Sequence, residues 1–589
     1  MLTRPLNAEQ IVATDPKRLA EMERLRTEAT AAIIGSTADK RLIVSGPGTG
    51  KTFTFEAALG ACGGKGLALT FLRNLVADLT VVLGDRADVF TFHGYCKYLM
   101  HHHNIAGLRD GDYYPPLLDL LIDDIQVLEG KVIDGDDVTA HLHTLDDSDG
   151  LIGEVLACAD YYNAVSHTDL VYRVLRHFEA ASDTIPTFPL IVVDEYQDFS
   201  LLETTFIQLL ATKSKVLIAG DDDQALYGKL RNAEADFIRA LAGEGLFETF
   251  ELPYCVRCTS VIVAAVNDLL AAATARGNLA RRLTKSFECY LPDKGADSEA
   301  NPKIIHVQCS TANTPYAGQY IAQQIARIPR VDIATSREKG YPTALVIGPN
   351  PFLNRAYQVV QQRFPKARMK TSSEVPIDAL DGYRRIARND KSRLGWRIII
   401  AAYPFDGWKT VLKQVLEAGA ELADQLPEVY RDEHSEIARL LGVMLESGTL
   451  STEDQDRLTT ATGRSSDEIK AALAIDEPED TEIEDETGGV PGEYEPDILF
   501  TSLVGSKGLS AEHVFVVGLN DGHLPRRRTA PTDEEVCNLL VALSRTRKRC
   551  HVVSCKFFGK GFLTESLFLD WIRPHLEAIE VDKNYDFSE

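Results

Sequence analysis

Ser45-Gly-Pro-Gly-Thr-Gly-Lys-Thr-Phe53 decides the fold of this 589-residue chain. The stretch follows a short apolar run, Leu42 to Val44, and precedes a segment of helical character, Thr54 to Leu59. Strand, glycine-rich turn and helix in that order make a loop that wraps phosphate. Glycine lets the backbone pass close to phosphate oxygens, so that successive N–H groups and the helix N-terminus face the anion. Gly46, Gly48, Thr49 and Gly50 would form that cradle. Lys51 would reach the β and γ phosphates, and the Thr52 hydroxyl would ligate Mg2+. Ser45 stands where the strict pattern has glycine.

Two further strand ends belong with this loop. Leu190-Ile-Val-Val193 is an apolar strand that runs into Asp194-Glu195-Tyr196-Gln197-Asp198. A buried parallel strand that ends in two carboxylates is where an α/β sheet places metal chemistry. Asp194 is expected to hold Mg2+, and Glu195 to orient and deprotonate the attacking water. Beside the phosphate loop, this acidic turn predicts nucleotide hydrolysis. Lys215 to Gly220 forms another apolar strand, ending in Asp221-Asp222-Asp223-Gln224-Ala225-Leu226-Tyr227, where Gln224 can sense a γ-phosphate. Upstream, the amide of Gln10 can hydrogen-bond both edges of an adenine.

Length and composition set the outer bounds. The chain is long enough for roughly three to five domains. Hydrophobic content of 44% and charged content of 25% are those of a globular protein in water. No apolar run approaches the roughly 20 residues that cross a bilayer, and the N-terminus lacks the apolar core of a signal peptide, so a cytoplasmic protein without membrane contact is expected. A net charge of −25 excludes an overall basic coat, though a basic channel could lie within an acidic exterior. The 10 cysteines are scattered, as reduced thiols are. Cys255-Val-Arg-Cys258 has zinc-like spacing, but with Cys550 and Cys555 it forms no recognised ligand pattern. His101-His102-His103 reads as solvated loop.

Other segments extend the pattern, and together they resemble the superfamily 1A helicases of the UvrD, Rep and PcrA type. Leu6-Asn-x-x-Gln10 resembles the adenine-reading motif and Ser45 to Thr52 motif I. Leu69-Thr-Phe71-Leu-Arg73-Asn resembles motif Ia, and Thr91-Phe-His93-Gly-Tyr95 motif Ib. Asp194 to Asp198 is similar to motif II and Gly220 to Tyr227 to motif III. Arg257 matches motif IV, Gly505-Ser-Lys-Gly508-Leu509 motif V, and Val541-Ala-Leu-Ser-Arg545-Thr-Arg547 motif VI.

The resemblance implies an α/β fold of two RecA-like P-loop NTPase domains with parallel sheets, each interrupted by a mainly helical insertion. The first domain would comprise residues 1–92 and 188–247, with its insertion at 93–187. The second would comprise 248–351 and 497–589, with an insertion at 352–496 that ends in an acidic linker, Asp476 to Glu486. ATP and Mg2+ would lie between the domains. Arg257 and Arg545 would reach the γ-phosphate from the second domain, as Gln224 would from the first; Phe53 and Gly508 would join the nucleotide pocket. Single-stranded DNA would cross Phe71, Arg73, Thr91, His93, Tyr227, Arg231 and Ser502, driven 3′ to 5′, with a 3′-tailed duplex as the unwinding substrate in DNA repair or processing. Phe71 and Tyr227 could equally be core packing.

Departures from the family pattern are also visible. Phe53 stands where the family often has arginine, Val256 where a tyrosine stacks on adenine, Ser510 where a glutamate meets ribose, and Val504 where a histidine faces DNA. Gly228-Lys-Leu-Arg231 lacks the usual stacking tryptophan. These changes keep a second reading open: a regulatory or anti-phage defence ATPase of helicase fold that depends on a protein partner. A fused nuclease is not expected, because no cluster of acids with lysine follows Arg549.

Overall fold

Strands that are apolar on both faces belong in parallel sheets covered by helices on each side. Val216–Gly220 and Gly66–Thr70 are buried at every position, as that rule requires. The computed structural model describes residues 15–71, 73–103, 112–228, 233–243, 245–313, 315–447, 450–474, 482–487 and 495–588. Two separate large sheets organise them.

The first sheet holds β1 (Lys40–Val44), β2 (Gly66–Thr70), β3 (Ala87–Thr91), β4 (Ile191–Val193), β5 (Val216–Gly220) and β6 (Glu248–Glu251). Their order is β3-β2-β4-β5-β1-β6, and every pair is parallel. The second sheet holds β7 (Ile304–Cys309), β8 (Ala344–Ile347), β9 (Arg368–Glu374), β10 (Glu482–Thr487), β11 (Ile498–Thr501), β12 (Ala511–Val517), β13 (Thr546–Cys555) and β14 (Leu576–Val581). Their order is β10-β9-β11-β8-β12-β13-β7-β14, parallel except for β10 on β9. Helix Ser260–Ala275 and helix Asp533–Ser544 cover one face of this sheet with shared apolar residues such as Val266, Leu269, Leu540 and Val541.

The helical insertions differ in independence. Helices from Phe92–His103 to His167–Ala180 bury Leu121, Val155 and Phe178 in the same core as Leu67 and Val193 of the first sheet. Helices from Ala379–Arg388 to Ser466–Ala474 close a core of their own around Tyr383, Trp396 and Leu441. The two insertions meet through a buried ion pair, Arg397 Nε to Asp124 Oδ1 at 2.7 Å, with both side chains 0% exposed. A charged pair can be buried like this only when its partners are matched, since each ion lost water to get there.

Three expectations are corrected. The insertion expected from residue 352 begins later: helix Asn350–Arg363 packs Phe352, Leu353 and Val360 on the second sheet, and β9 belongs to that sheet. Part of the acidic linker is paired backbone, since Glu482–Thr487 forms β10 with Lys370 opposite Glu486 in the register. The histidine run is the end of helix Phe92–His103 rather than loop.

Candidate nucleotide site at the seam between the sheets

Strands β4, β5 and β1 are neighbours at the centre of the first sheet, so their C-terminal ends bring the acidic turn, residues 221–224 and the phosphate loop together. In open parallel sheets this edge is the usual ligand site. The Ser45 N–H donates to Gly220 O at 3.2 Å, fixing the loop's departure. Gly48 (φ 67°) and Gly50 (φ 93°) turn the chain through the left-handed region, where a side chain would be strained. Helix Lys51–Gly60 starts directly after Gly50, so its unsatisfied N–H groups face the loop's hollow. The Thr49 hydroxyl donates to Gly46 O at 3.0 Å and closes the turn.

Lys51 is 9% exposed, yet among the described residues its ammonium makes no hydrogen bond or ion pair. The charges of Asp194 and Glu195 act on it from beyond ion-pair distance, and a bound phosphate would give it a direct partner. Asp194 and Glu195 follow β4. Burial, with the neighbouring Glu195 charge, pushes the Asp194 carboxyl up to about 6. Burial would raise Glu195 as well, but Lys51 and Lys507 outweigh it and hold that carboxyl down at about 2. Glu195 therefore stays ionised. Its backbone sits at φ 54°, a left-handed conformation costing a non-glycine residue about 1–3 kcal/mol. Gln197 steadies it: Nε2 donates to Glu195 Oε2 at 2.6 Å, while Gln197 Oε1 accepts the Asp221 N–H at 2.9 Å.

The second half of the chain closes over this edge. The Val256 N–H donates to Gly48 O at 2.9 Å. A Cβ on Gly48 would lie 2.5 Å from Arg257 Cβ, and one on Gly46 would lie 2.5 Å from the Phe287 ring. Close approach of these side chains is thus what the first two loop glycines permit. Arg545 caps helix Asp533–Ser544 and is 3% exposed. It donates to Gln224 Oε1 at 3.0 Å, Val541 O at 3.0 Å, Leu509 O at 3.2 Å and Ser544 Oγ at 3.0 Å. All four acceptors are neutral. Burial, reinforced by repulsion from Arg257, pulls the Arg545 guanidinium down to about 9. The Arg257 side chain has no hydrogen bond or ion pair among the described residues. Two guanidiniums close enough to repel each other, at the edge that carries the phosphate loop, form a site suited to a polyanion.

Several useful groups were missing from the expected set. Lys507 has a side chain 1% exposed; Nζ meets Asp198 at 2.5 Å, donates to Gln224 O at 2.6 Å and stands 4.0 Å from Glu195 Oε2. Burial pushes its partner Asp198 up to about 7. The motif V segment carried this lysine in plain view. Arg26, Thr30, Phe53 and Tyr254 line a pocket beside Thr49 and Gly50, with Phe53 58% exposed to it. Arg26 and Tyr254 carry no local signal that marks them. Gln10, the expected adenine reader, lies outside the described residues.

Mg2+ fits the donors that are present. Asp194 has no ion pair among the described residues, and Thr52 lies on the first helical turn after the loop. A carboxylate and a hydroxyl beside phosphates are the ligands Mg2+ uses.

The expected nucleic-acid residues that are described follow strands of both sheets: Phe71, Thr91 and Tyr227 lie at or after strand ends of the first, and Ser502 after β11 of the second. Phe71 and Tyr227 pack ring to ring with centroids 4.9 Å apart, and Phe199 supports Phe71 from 5.9 Å. Lys507 Nζ lies 5.7 Å from the Tyr227 ring centre, which joins that pair to the phosphate edge. The Thr91 hydroxyl accepts the Gly94 N–H at 2.9 Å, and the Ser502 hydroxyl accepts the Gly505 N–H at 3.0 Å. His93 stacks on His167 with centroids 4.0 Å apart. Arg73 opens helix Arg73–Leu83, Gly508 (φ 80°) precedes Leu509, and Arg231 lies outside the described residues.

Known proteins resemble part of this sequence. Residues 153–244 match the UvrD/REP helicase N-terminal domain family. DNA helicase II of Haemophilus influenzae is 33% identical over 117 residues, 19% of this chain and 16% of that protein. DNA helicase II of Escherichia coli is 38% identical over 101 residues, 17% of this chain and 13% of that protein. The ATP-dependent DNA helicase PcrA of Staphylococcus epidermidis is 31% identical over 119 residues, 18% of this chain and 15% of that protein. The matches thus span less than a fifth of these relatives' own length. No helix among the described residues is long and apolar enough to cross a membrane. By sequence, the part of the chain that these matches cover is thus UvrD/Rep/PcrA-like.

Proposed function

We propose that this chain is an ATP-driven motor on single-stranded DNA, a 3′ to 5′ translocase and helicase built from two RecA-like halves. The observation that carries the reading is the approach, across the seam, of Arg257 to Gly48 of the phosphate loop and of Arg545 to Gln224. The relatives named above are DNA helicases, which supports DNA as the track.

In this reading the loop N–H groups and Lys51 bind the triphosphate, with the Mg2+ ligands at Thr52 and Asp194. The metal, when bound, neutralises charge developing on the phosphate oxygens. Glu195 orients water and takes its proton; its ionised state and the Gln197 bond suit it to that role. Arg257 and Arg545 stabilise the charge of the transferring phosphoryl group, and Gln224 links Arg545 to the strand end beside it. Hydrolysis then loosens the seam, and Phe71 and Tyr227, one contact away through Lys507, shift their hold on a base. Stacking of that kind holds single strands at about 1–3 kcal/mol per base.

ATP turnover titrated with single-stranded DNA, single-stranded RNA and duplex tests the reading. The expected result is strong stimulation by single-stranded DNA; turnover indifferent to it would remove the motor. Comparing 3′-tailed with 5′-tailed duplexes tests direction. The second reading, a partner-dependent regulatory or defence ATPase, is favoured by Ser510 and Val504 at positions where the family has ribose-facing and DNA-facing groups. It predicts DNA-independent turnover that a protein partner raises.

A further inference from the structure

Asp221, Asp222 and Asp223 bring three buried carboxylates within 4.8 Å of one another. Like charges at that range cannot all stay ionised in a buried site without cations among them. The cation at the centre belongs to the chain. Lys285 Nζ lies 2.7 Å from Asp221 Oδ1, 2.7 Å from Asp222 Oδ1 and 2.7 Å from Asp223 Oδ2, and its side chain is 3% exposed. Three ammonium hydrogens thus meet three carboxylates, one each. Arg282 adds a two-pronged contact to Asp223 (Nε 3.0 Å, Nη2 2.7 Å), and Arg239 bonds Asp222 Oδ2 at 3.0 Å. The Leu283 N–H donates to Asp222 Oδ2 at 2.8 Å. Three anions are balanced by three cations.

The cluster spans the seam. Residues 221–223 follow β5 of the first sheet, whereas Leu279 and Phe287, on either side of Arg282 and Lys285, are packed in the core of the second sheet. It also leads into the phosphate site. Asp221 Oδ1 meets Lys285, leaving Oδ2 to accept the Gln224 amide at 2.7 Å; Gln224 Oε1 in turn accepts Arg545 Nη2 at 3.0 Å. A lysine held by three carboxylates has no hydrogen left for a phosphate. The hydrogen-bonded route from it to the phosphate site runs through Asp221.

We propose that Lys285 is a positioning residue of the phosphate site, a cation tethered within the carboxylates of residues 221–223 that fixes Asp221 and so aims Gln224 and Arg545 at the bound triphosphate. This rests on the nucleotide-hydrolysis reading above and adds a group outside the motifs named in the sequence. Residues 279–285 thereby tie the second half of the chain to the strand end that the nucleotide touches.

The test is steady-state ATP hydrolysis by full-length Lys285→Met, Gln224→Ala and the double variant, with nucleotide affinity measured on the same preparations. Misaiming a transition-state group by about 1 Å costs about 100-fold in rate. Lys285→Met is therefore expected to lower kcat by 10-fold or more, roughly 1.4 kcal/mol or above, with KM within about threefold. In the Gln224→Ala background the same substitution is expected to have little further effect, because both lie on one path. Lys285→Arg, which keeps the charge, is expected to recover part of the loss. Should Lys285→Met be recovered unfolded, Asp221→Asn keeps the shape, leaves one acceptor oxygen where both Lys285 and Gln224 need one, and is expected to show the same fall in kcat. Wild-type kcat in Lys285→Met, or in Asp221→Asn where that is the variant used, overturns the proposal, and so does a loss that simply adds to that of Gln224→Ala. A wild-type protein that hydrolyses no ATP would instead overturn the functional reading beneath it.

Discussion

Replacing Glu195 by glutamine isolates the chemical step. The amide matches the carboxylate in size, and its oxygen can still accept from Gln197 Nε2, the contact now at 2.6 Å. The left-handed backbone at Glu195 is left as it is. What is lost is a proton acceptor. Because Lys51 and Lys507 hold the wild-type carboxyl near 2, it is fully ionised at neutral pH, so the substitution removes all of the base and not a fraction. A positioned general base contributes about 100- to 10,000-fold, or about 3–5 kcal/mol of barrier. No neighbour can stand in, because Asp198 is engaged with Lys507 and Asp194 is assigned to the metal. The expected kcat is therefore about 1,000-fold below wild type, in the middle of that range. Nucleotide affinity should hold or tighten, since one negative charge leaves the neighbourhood of a polyanion. Phosphate release and binding of a fluorescent ATP analogue measure the two quantities separately. Turnover within tenfold of wild type would show that another group takes the proton.

Three other perturbations probe the seam and the DNA edge. Gly48→Ala places a methyl group 2.5 Å from Arg257 Cβ at φ 67°, so ATP turnover should fall at least tenfold while circular dichroism stays that of the wild type; unchanged turnover would mean that Arg257 need not touch the loop. Lys507→Met strands Asp198 without its buried partner, a change that typically costs about 3–5 kcal/mol, to be read as a lower denaturant midpoint; an unchanged midpoint would refute the pairing. Tyr227→Ala should weaken single-stranded DNA binding by about 1–3 kcal/mol in fluorescence anisotropy, without a matching loss of ATP affinity; loss of both would mark the Phe71–Tyr227 pair as core packing.

The phosphate loop and the turns at Asp194 and Asp221 were legible because each is a local chemical statement. A glycine pattern, a strand end and an acidic pair are all written within nine or fewer consecutive residues. Arg257 and Arg545 were legible only through the family resemblance, because an arginine alone does not say what it faces. Lys285 was invisible: its partners lie about sixty residues upstream, and nothing in Leu-Thr-Lys-Ser distinguishes it from a surface lysine. The boundary of the second insertion was misread for a related reason. Arg368–Glu374 is polar, as strands near a sheet edge can be, and β10 supplies the pairing from more than a hundred residues away. Acidic composition argued for a solvated linker there, but backbone pairing with β9 prevailed over composition.

A crystal structure with Mg2+, ADP and aluminium fluoride, a mimic of the transferring phosphoryl group, tests the central claim most directly. The shared seam predicts that guanidinium nitrogens of both Arg257 and Arg545 lie within hydrogen-bond distance of the fluoride ligands, with Lys51 and Glu195 on the opposite side. A complex in which the nucleotide is held by the first half alone, with both arginines turned away from it, would contradict the account.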